Sequence, residues 1–140
     1  MKKTLYQKVA LSVLALLLAR TIFAQVLINE YSCANLKQFP DNFDKFEDWI
    51  ELYNGDSVVA NIGGYYLSDN KNKPTKWQIP AGITIPAKGF RVFWASGRDT
   101  AMAQGIHTNF KFTQTKNDPE RILLANPSGI VIDQVTINKT

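Results

Sequence analysis

Apolar residues recur at every second position in a series of short runs, and each run is closed by glycine, proline or asparagine. The clearest is Asp48-Trp49-Ile50-Glu51-Leu52-Tyr53-Asn54-Gly55. Ile50 and Leu52 point to one face of such a strand and Trp49, Glu51 and Tyr53 to the other. Because the second face still carries two aromatic rings, the pattern predicts that it is not fully solvated. Asn54-Gly55 supplies two residues that tolerate positive φ, so a turn is expected there.

The other runs repeat this logic. Val26–Ser32 reads as a first strand. Residues 35–47 contain Pro40 and three phenylalanines without a period, which predicts a loop with its own packing or a functional role. Strand patterns follow at 58–62, 65–68, 77–79, 83–85 and 90–95, separated by Gly63-Gly64, a polar stretch ending at Pro74, Ala81-Gly82 and Pro86-Ala87-Lys88-Gly89. In the run at 90–95, Phe90, Val92 and Trp94 alternate with Arg91, Phe93 and Ala95. Residues 96–105 allow at most a helical turn, and alternation returns at 108–112. Residues 121–125 and 130–137 flank the hairpin signal Asn126-Pro127-Ser128-Gly129. The last run changes phase, which predicts either a bulge near Asp133 or a solvent-facing half. Eight or nine strands at this spacing predict an all-β sandwich or barrel.

The N-terminus changes the charge picture. Lys2 and Lys3 precede an apolar run at 9–19, and Ala24 is a small residue at the expected cut, the layout of a cleaved signal peptide over residues 1–24. The run is shorter than the roughly 20 residues that span a bilayer, so no stable membrane insertion is expected after cleavage. The expected mature chain, 25–140, is secreted or held in the periplasm or at the cell surface. The formal charge of +4 includes Lys2, Lys3, Lys8 and Arg20, and without these four, twelve basic residues face twelve acidic ones. A neutral chain gives no reason to expect a nucleic-acid partner. The single cysteine, Cys33, excludes an intrachain disulfide and reads as an inert thiol, with intermolecular pairing as the alternative.

The order of pieces Asn29-Glu30-Tyr31, Asp48-Trp49-Ile50-Glu51-Leu52-Tyr53-Asn54, Ile62-Gly63-Gly64-Tyr65-Tyr66-Leu67, Trp77-Gln78-Ile79-Pro80, Ile83-Thr84-Ile85-Pro86-Ala87-Lys88-Gly89, Phe90 to Ser96 and His107-Thr108-Asn109-Phe110 resembles the lamin tail domain family, in the form found in secreted bacterial proteins. The resemblance covers residues 26–137. It implies an immunoglobulin-like β-sandwich and a binding or scaffolding role without naming the ligand; a non-catalytic module with a protein partner at the cell envelope or outside the cell is the first functional reading. Such domains also accompany extracellular hydrolases and nucleases, so an accessory role in such a system is the alternative it carries.

Chemistry is sparse. His107 is the only histidine, and no nucleophile elbow or metalloprotease motif accompanies it, so a structural hydrogen-bonding role is expected. Asp41, Asp44, Glu47 and Asp48 lie close in sequence and supply oxygens of the kind calcium takes, yet they lack the periodicity and central glycine of an EF-hand, and Lys45 sits among them. A solvated acidic loop is the expectation, with these four as weak calcium candidates and no cofactor. Glu30 and Glu51, on adjacent strands, are the pair a glycosidase reading would need, and Glu51 is expected to meet a basic neighbour or line the sheet rim. Trp49, Trp77 and Trp94 with Tyr31, Tyr53, Tyr65 and Tyr66 supply rings either for the core or for a sugar- or protein-binding platform. A carbohydrate- or calcium-dependent surface-binding module is therefore the second functional reading.

Overall fold

The computed structural model describes residues 26–113 and 119–137. The expected signal peptide lies outside these residues. The described residues form eleven strands and no helix: β1 Val26–Ser32, β2 Trp49–Asn54, β3 Ala60–Asn61, β4 Tyr66–Ser68, β5 Trp77–Gln78, β6 Thr84–Ile85, β7 Phe90–Trp94, β8 Thr100–Met102, β9 Gly105–His107, β10 Arg121–Ala125 and β11 Val131–Thr136. A five-stranded sheet, β1-β2-β7-β9-β8, packs against a four-stranded sheet, β11-β10-β4-β5, and β3 pairs separately with β6. The fold is an immunoglobulin-like β-sandwich.

The alternation in β2 and β7 sets the layers. Trp49 lies opposite Trp94, Ile50 opposite Phe93 and Tyr53 opposite Phe90, so the register matches like faces across the ladder. Ile50, Leu52 and Phe93 point inward and meet Leu67, Ile122 and Leu124 of the other sheet, and all six are fully buried. Trp77 joins them edge-on to Phe93, with ring centroids 6.2 Å apart. Ile85 of β6 and Ile62, which follows β3, complete this core.

Two bulges keep long strands in phase. In β11 the register with β10 shifts between Leu124 and Ala125, so Ile132 is the extra residue, one position from the expected site. In β1 the shift falls at Asn29, which the pattern does not signal. It lets Val26, Ile28 and Tyr31 pack toward the core despite their broken parity. The edges of β1 and β11 are joined by Ile28 N–H donating to Asp133 Oδ2 at 2.8 Å.

Three expectations are corrected. Residues 96–105 form β8 and the turn into β9 rather than a helical turn, because Gly97 and Asp99 take φ values of 72° and 52° that break a helix. Residues 108–112 form no ladder strand. Phe110 and Phe112 are buried with Lys111 exposed between them, and the backbone pairing stops at one antiparallel bridge between Lys111 and Ser96, because Thr108 Oγ1 binds the Phe110 backbone beside it. Asn54 and Gly55 are not a positive-φ turn either. Asn54 ends β2 fully buried, its Nδ2 donating to the carbonyls of Val58, Ile85 and Pro86 and its Oδ1 accepting from Asp56 N–H. A side-chain clamp closes the strand where a glycine turn was expected.

Candidate functional site

The connection from β1 to β2, residues 33–48, folds back across the outer face of the five-stranded sheet. Phe39 sets its ring 5.1 Å from that of Trp94 and 6.1 Å from that of Trp49, in an edge arrangement with the latter. Phe43 packs on His107 at 5.3 Å, and His107 stacks on Trp94 at 6.4 Å. Trp49 and Trp94, the outward rings at this end of β2 and β7, therefore avoid full solvation because the loop covers them, while Tyr53 and Phe90 at the other end pack on each other. This forms a second apolar cluster on the side of the sheet away from the main core.

Polar side chains pin the loop at three points. Asn35 Nδ2 donates to the carbonyls of Phe39 at 2.5 Å and Glu47 at 2.9 Å, closing the loop on itself. Asp41 Oδ1 accepts from Phe43 N–H at 2.8 Å and Lys45 N–H at 2.9 Å, while Oδ2 meets Arg98 Nη1 at 2.7 Å. Asn42 Oδ1 lies 2.7 Å from His107 Nε2. Arg98 also sits over the Phe43 ring, 4.9 Å from its centroid, and 3.4 Å from Glu47.

The partners of His107 define its tautomer. Asn42 Oδ1 can only accept, so Nε2 carries the proton; Nδ1 then accepts from Ser96 Oγ at 2.8 Å. Burial pushes the imidazole below its ordinary value, outweighing the pull of Asp41 upward, so the ring is neutral. Burial pushes Asp41 up, yet the Lys45 and Phe43 amides and then Arg98 bring it below the usual carboxylate range. With His107 neutral, the cation that matters to Asp41 is Arg98. Asp48 goes the other way: burial and then nearby Glu47 raise it against the hydrogen bond from Asn35 N–H.

Ser96, His107 and Asn42 have the connectivity of a nucleophile, base and orienting group. Ser96 and His107 are 4% and 0% exposed, however, and the hydroxyl faces the imidazole and the Arg98 N–H rather than a cleft. The arrangement orders a loop, in line with the structural role expected of His107. Gly105 leaves room for this contact, since a Cβ there would overlap Asn42 Oδ1, lie 2.8 Å from its Cγ and displace that side chain.

The four weak calcium candidates are not brought together. Asp41 is buried against Arg98, Glu47 pairs with Arg98 and with Lys111 at 2.9 Å, Asp48 accepts from Asn35 N–H, and Asp44 is exposed at a positive φ of 56°. Among the described residues no three His, Cys, Asp or Glu side chains form a group suited to a metal. Nor do the seven aromatic residues make one platform. Trp77 is in the inner core with Nε1 donating to Asp99, Trp94 lies under Phe39, and Tyr65 and Tyr66 belong to the β3–β4 side of the other sheet. Of the two expectations for Glu51, a basic neighbour or a place lining the sheet rim, the first is not met among the described residues: its hydrogen bond comes from Asn29 Nδ2 at 2.8 Å. Cys33 is half-buried and its thiol is pushed up, first by burial.

With its polar groups turned to anchoring, the loop exposes its apolar ones. Leu36, Phe39, Phe43 and Phe46 are 78%, 45%, 39% and 46% exposed. A groove of about 410 Å³ runs between Leu36 and Phe46 over Cys33, Ala95 and Phe112. A second, of about 300 Å³, lies between Phe39 and Phe90 over Val92 and Trp94. No sequence motif marks Arg98 and Ser96 as anchors of this loop. The signal within reach is local: an aspartate whose side chain accepts from the residue two positions on is an Asx turn, which marks Asp41 as a loop organiser.

A family model described as the Lamin Tail Domain matches residues 21–139. No curated protein matches the chain.

Proposed function

The chain belongs to the lamin tail domain family, and from that premise we propose that it is an exported binding module that engages a protein partner outside the cytoplasm through the tips of the 33–48 loop. Lamin tail domains are typically non-catalytic immunoglobulin-like modules. The observation that carries the reading is the exposure of Leu36, Phe39, Phe43 and Phe46 on a loop held from beneath by the Asp41–Arg98 pair and the Asn42–His107 hydrogen bond. Large apolar side chains on a preorganised loop bind without first being ordered, and neighbouring grooves accept side chains from the partner. Export is supported by the basic and apolar residues of the N-terminus.

The test is a pair of variants, Leu36→Ser and Phe46→Ser, at positions too exposed to carry the fold. Immobilised wild-type protein is offered an envelope and culture-fluid fraction of the source organism, and the variants are offered the same fraction. The reading predicts that a captured protein is lost with either substitution while the thermal midpoint is unchanged. Undiminished capture by both variants refutes the loop as the binding surface.

A further inference from the structure

Beside the loop, the outer face of β1, β2 and β7 stays open. Its middle is a like-charge pair: Glu30 of β1 stands directly opposite Glu51 of β2, on the face away from the core. Direct cross-strand partners have Cβ atoms about 5 Å apart, and like charges in that position disfavour the fold. Among the described residues neither carboxylate makes an ion pair. The β1 bulge instead brings Asn29 Nδ2 to Glu51 Oε1 at 2.8 Å, which holds that carboxylate in place and leaves Oε2 open.

Rings flank the pair along the strand. Trp49 and Tyr53 share the Glu51 face two residues to either side, about 7 Å away by strand rise. Tyr53 is backed by Phe90, with centroids 4.8 Å apart and Phe90 51% exposed. Two adjacent carboxylates beside the partly exposed Tyr53–Phe90 pair complement a planar, delocalised cation better than a compact, strongly hydrated ammonium. A guanidinium offers a fork of N–H donors to the oxygens and a flat face to a ring. A neutral sugar would satisfy the rings but leave the paired charge unrelieved.

We infer that this face binds an arginine side chain of a protein partner, its guanidinium bridging the Glu30 and Glu51 carboxylates and its plane resting on the Tyr53–Phe90 side. The inference rests on the reading of the chain as a protein-binding module but places a second contact on a surface separate from the loop tips. Relief of the carboxylate repulsion occurs only in the complex, so the open face gives up some stability to favour that partner.

The test titrates the ¹⁵N-labelled chain with an acetylated, amidated hexa-arginine peptide, then with hexalysine and a neutral oligosaccharide. Shifts confined to β1, β2 and β7, affinity at least about tenfold lower in the E30Q/E51Q double variant, and weaker hexalysine binding are expected. Both substitutions are at the surface and remove repulsion, so the double variant should melt no lower than wild type. Shifts elsewhere, equal binding by the double variant, equal binding of hexalysine, or response only to the oligosaccharide overturns the inference. The Leu36→Ser and Phe46→Ser variants should bind hexa-arginine normally. Partner capture lost in them but kept in E30Q/E51Q, with hexa-arginine binding also kept, sinks this site and leaves the loop reading standing.

Discussion

Replacing Asp41 with asparagine exchanges one carboxylate oxygen for an NH₂ group and tests the anchor of the loop. The amide in D41N would retain an oxygen for the Phe43 and Lys45 N–H groups, but its NH₂ would then face the Arg98 guanidinium, donor against donor, where 2.7 Å now separates opposite charges. A hydrogen bond between charged groups contributes about 1.5–3 kcal/mol. The Asp41 side chain is fully buried while that of Arg98 is 29% exposed and can turn toward Glu47 or water, which places the loss near the lower part of that range, at about 2 kcal/mol. With a urea m-value of about 1.5 kcal/mol/M, the midpoint should fall by about 1.3 M. Tryptophan fluorescence is the probe, because Phe39 packs on Trp49 and Trp94 and loosening of the loop alters their surroundings. A double-mutant cycle with Arg98→Met separates the pair from other effects of either change, and a coupling of about 1 kcal/mol or more is expected. A D41N midpoint within about 0.3 M of wild type, or strictly additive single variants, would refute the anchoring role.

Asp48, seven residues further on in the same loop, should behave oppositely. Its carboxylate is raised by burial and by Glu47, so the charged form is disfavoured in the fold and D48N should have an equal or higher urea midpoint at pH 7; a clear fall would contradict this. His107 predicts a separate acid response. Its folded value lies below the ordinary 6.5, so between the two the unfolded chain binds more protons and stability rises with pH. That contribution is complete above about pH 7 and is lost as pH falls through 6.5 toward the folded value, whereas the Asp41 contribution persists until pH drops below its ordinary 3.8. Urea midpoints of His107→Gln measured from pH 7 to 5 should therefore be flatter than those of wild type. Gly105→Ala should displace Asn42 and strip His107 Nε2 of its acceptor, costing about 1–2 kcal/mol, checked by the same melts and by loss of the Nε2 proton's slow exchange.

The sandwich was legible because β2 and β7 are both two-sided: Ile50, Leu52 and Phe93 carry the main core, and the alternation that reveals them is local. The outward rings of Trp49 and Tyr53 even signalled that the second face has neighbours. What covers Trp49 was not legible, because the contacts that fold the loop span 57 residues from Asp41 to Arg98 and 65 from Asn42 to His107, and no local period encodes them. The carboxylates at 41–48 read as a solvated acidic loop with weak calcium candidates, while the fold buries Asp41 and supplies guanidinium and ammonium groups from residues 98 and 111. Asn54 misled for a related reason. In sequence, Asn-Gly is a turn, and only the approach of residues 85 and 86 from another part of the chain turns that amide into a buried clamp. Glu30 and Glu51 were visible as residues, but their direct opposition depends on the Asn29 bulge, and a bulge leaves no mark when the parity of β1 is already irregular.

The claim on which the rest depends is that residues 33–48 form a pinned platform, not a loose connection. Backbone amide exchange at Phe43 and Lys45 tests it most directly, since both N–H groups donate to the buried Asp41 Oδ1. The account predicts strong protection at these two amides, approaching that of Ile50 and Leu52 in β2 and lost in D41N. Exchange at the rate of an unstructured chain in the wild-type protein would contradict it.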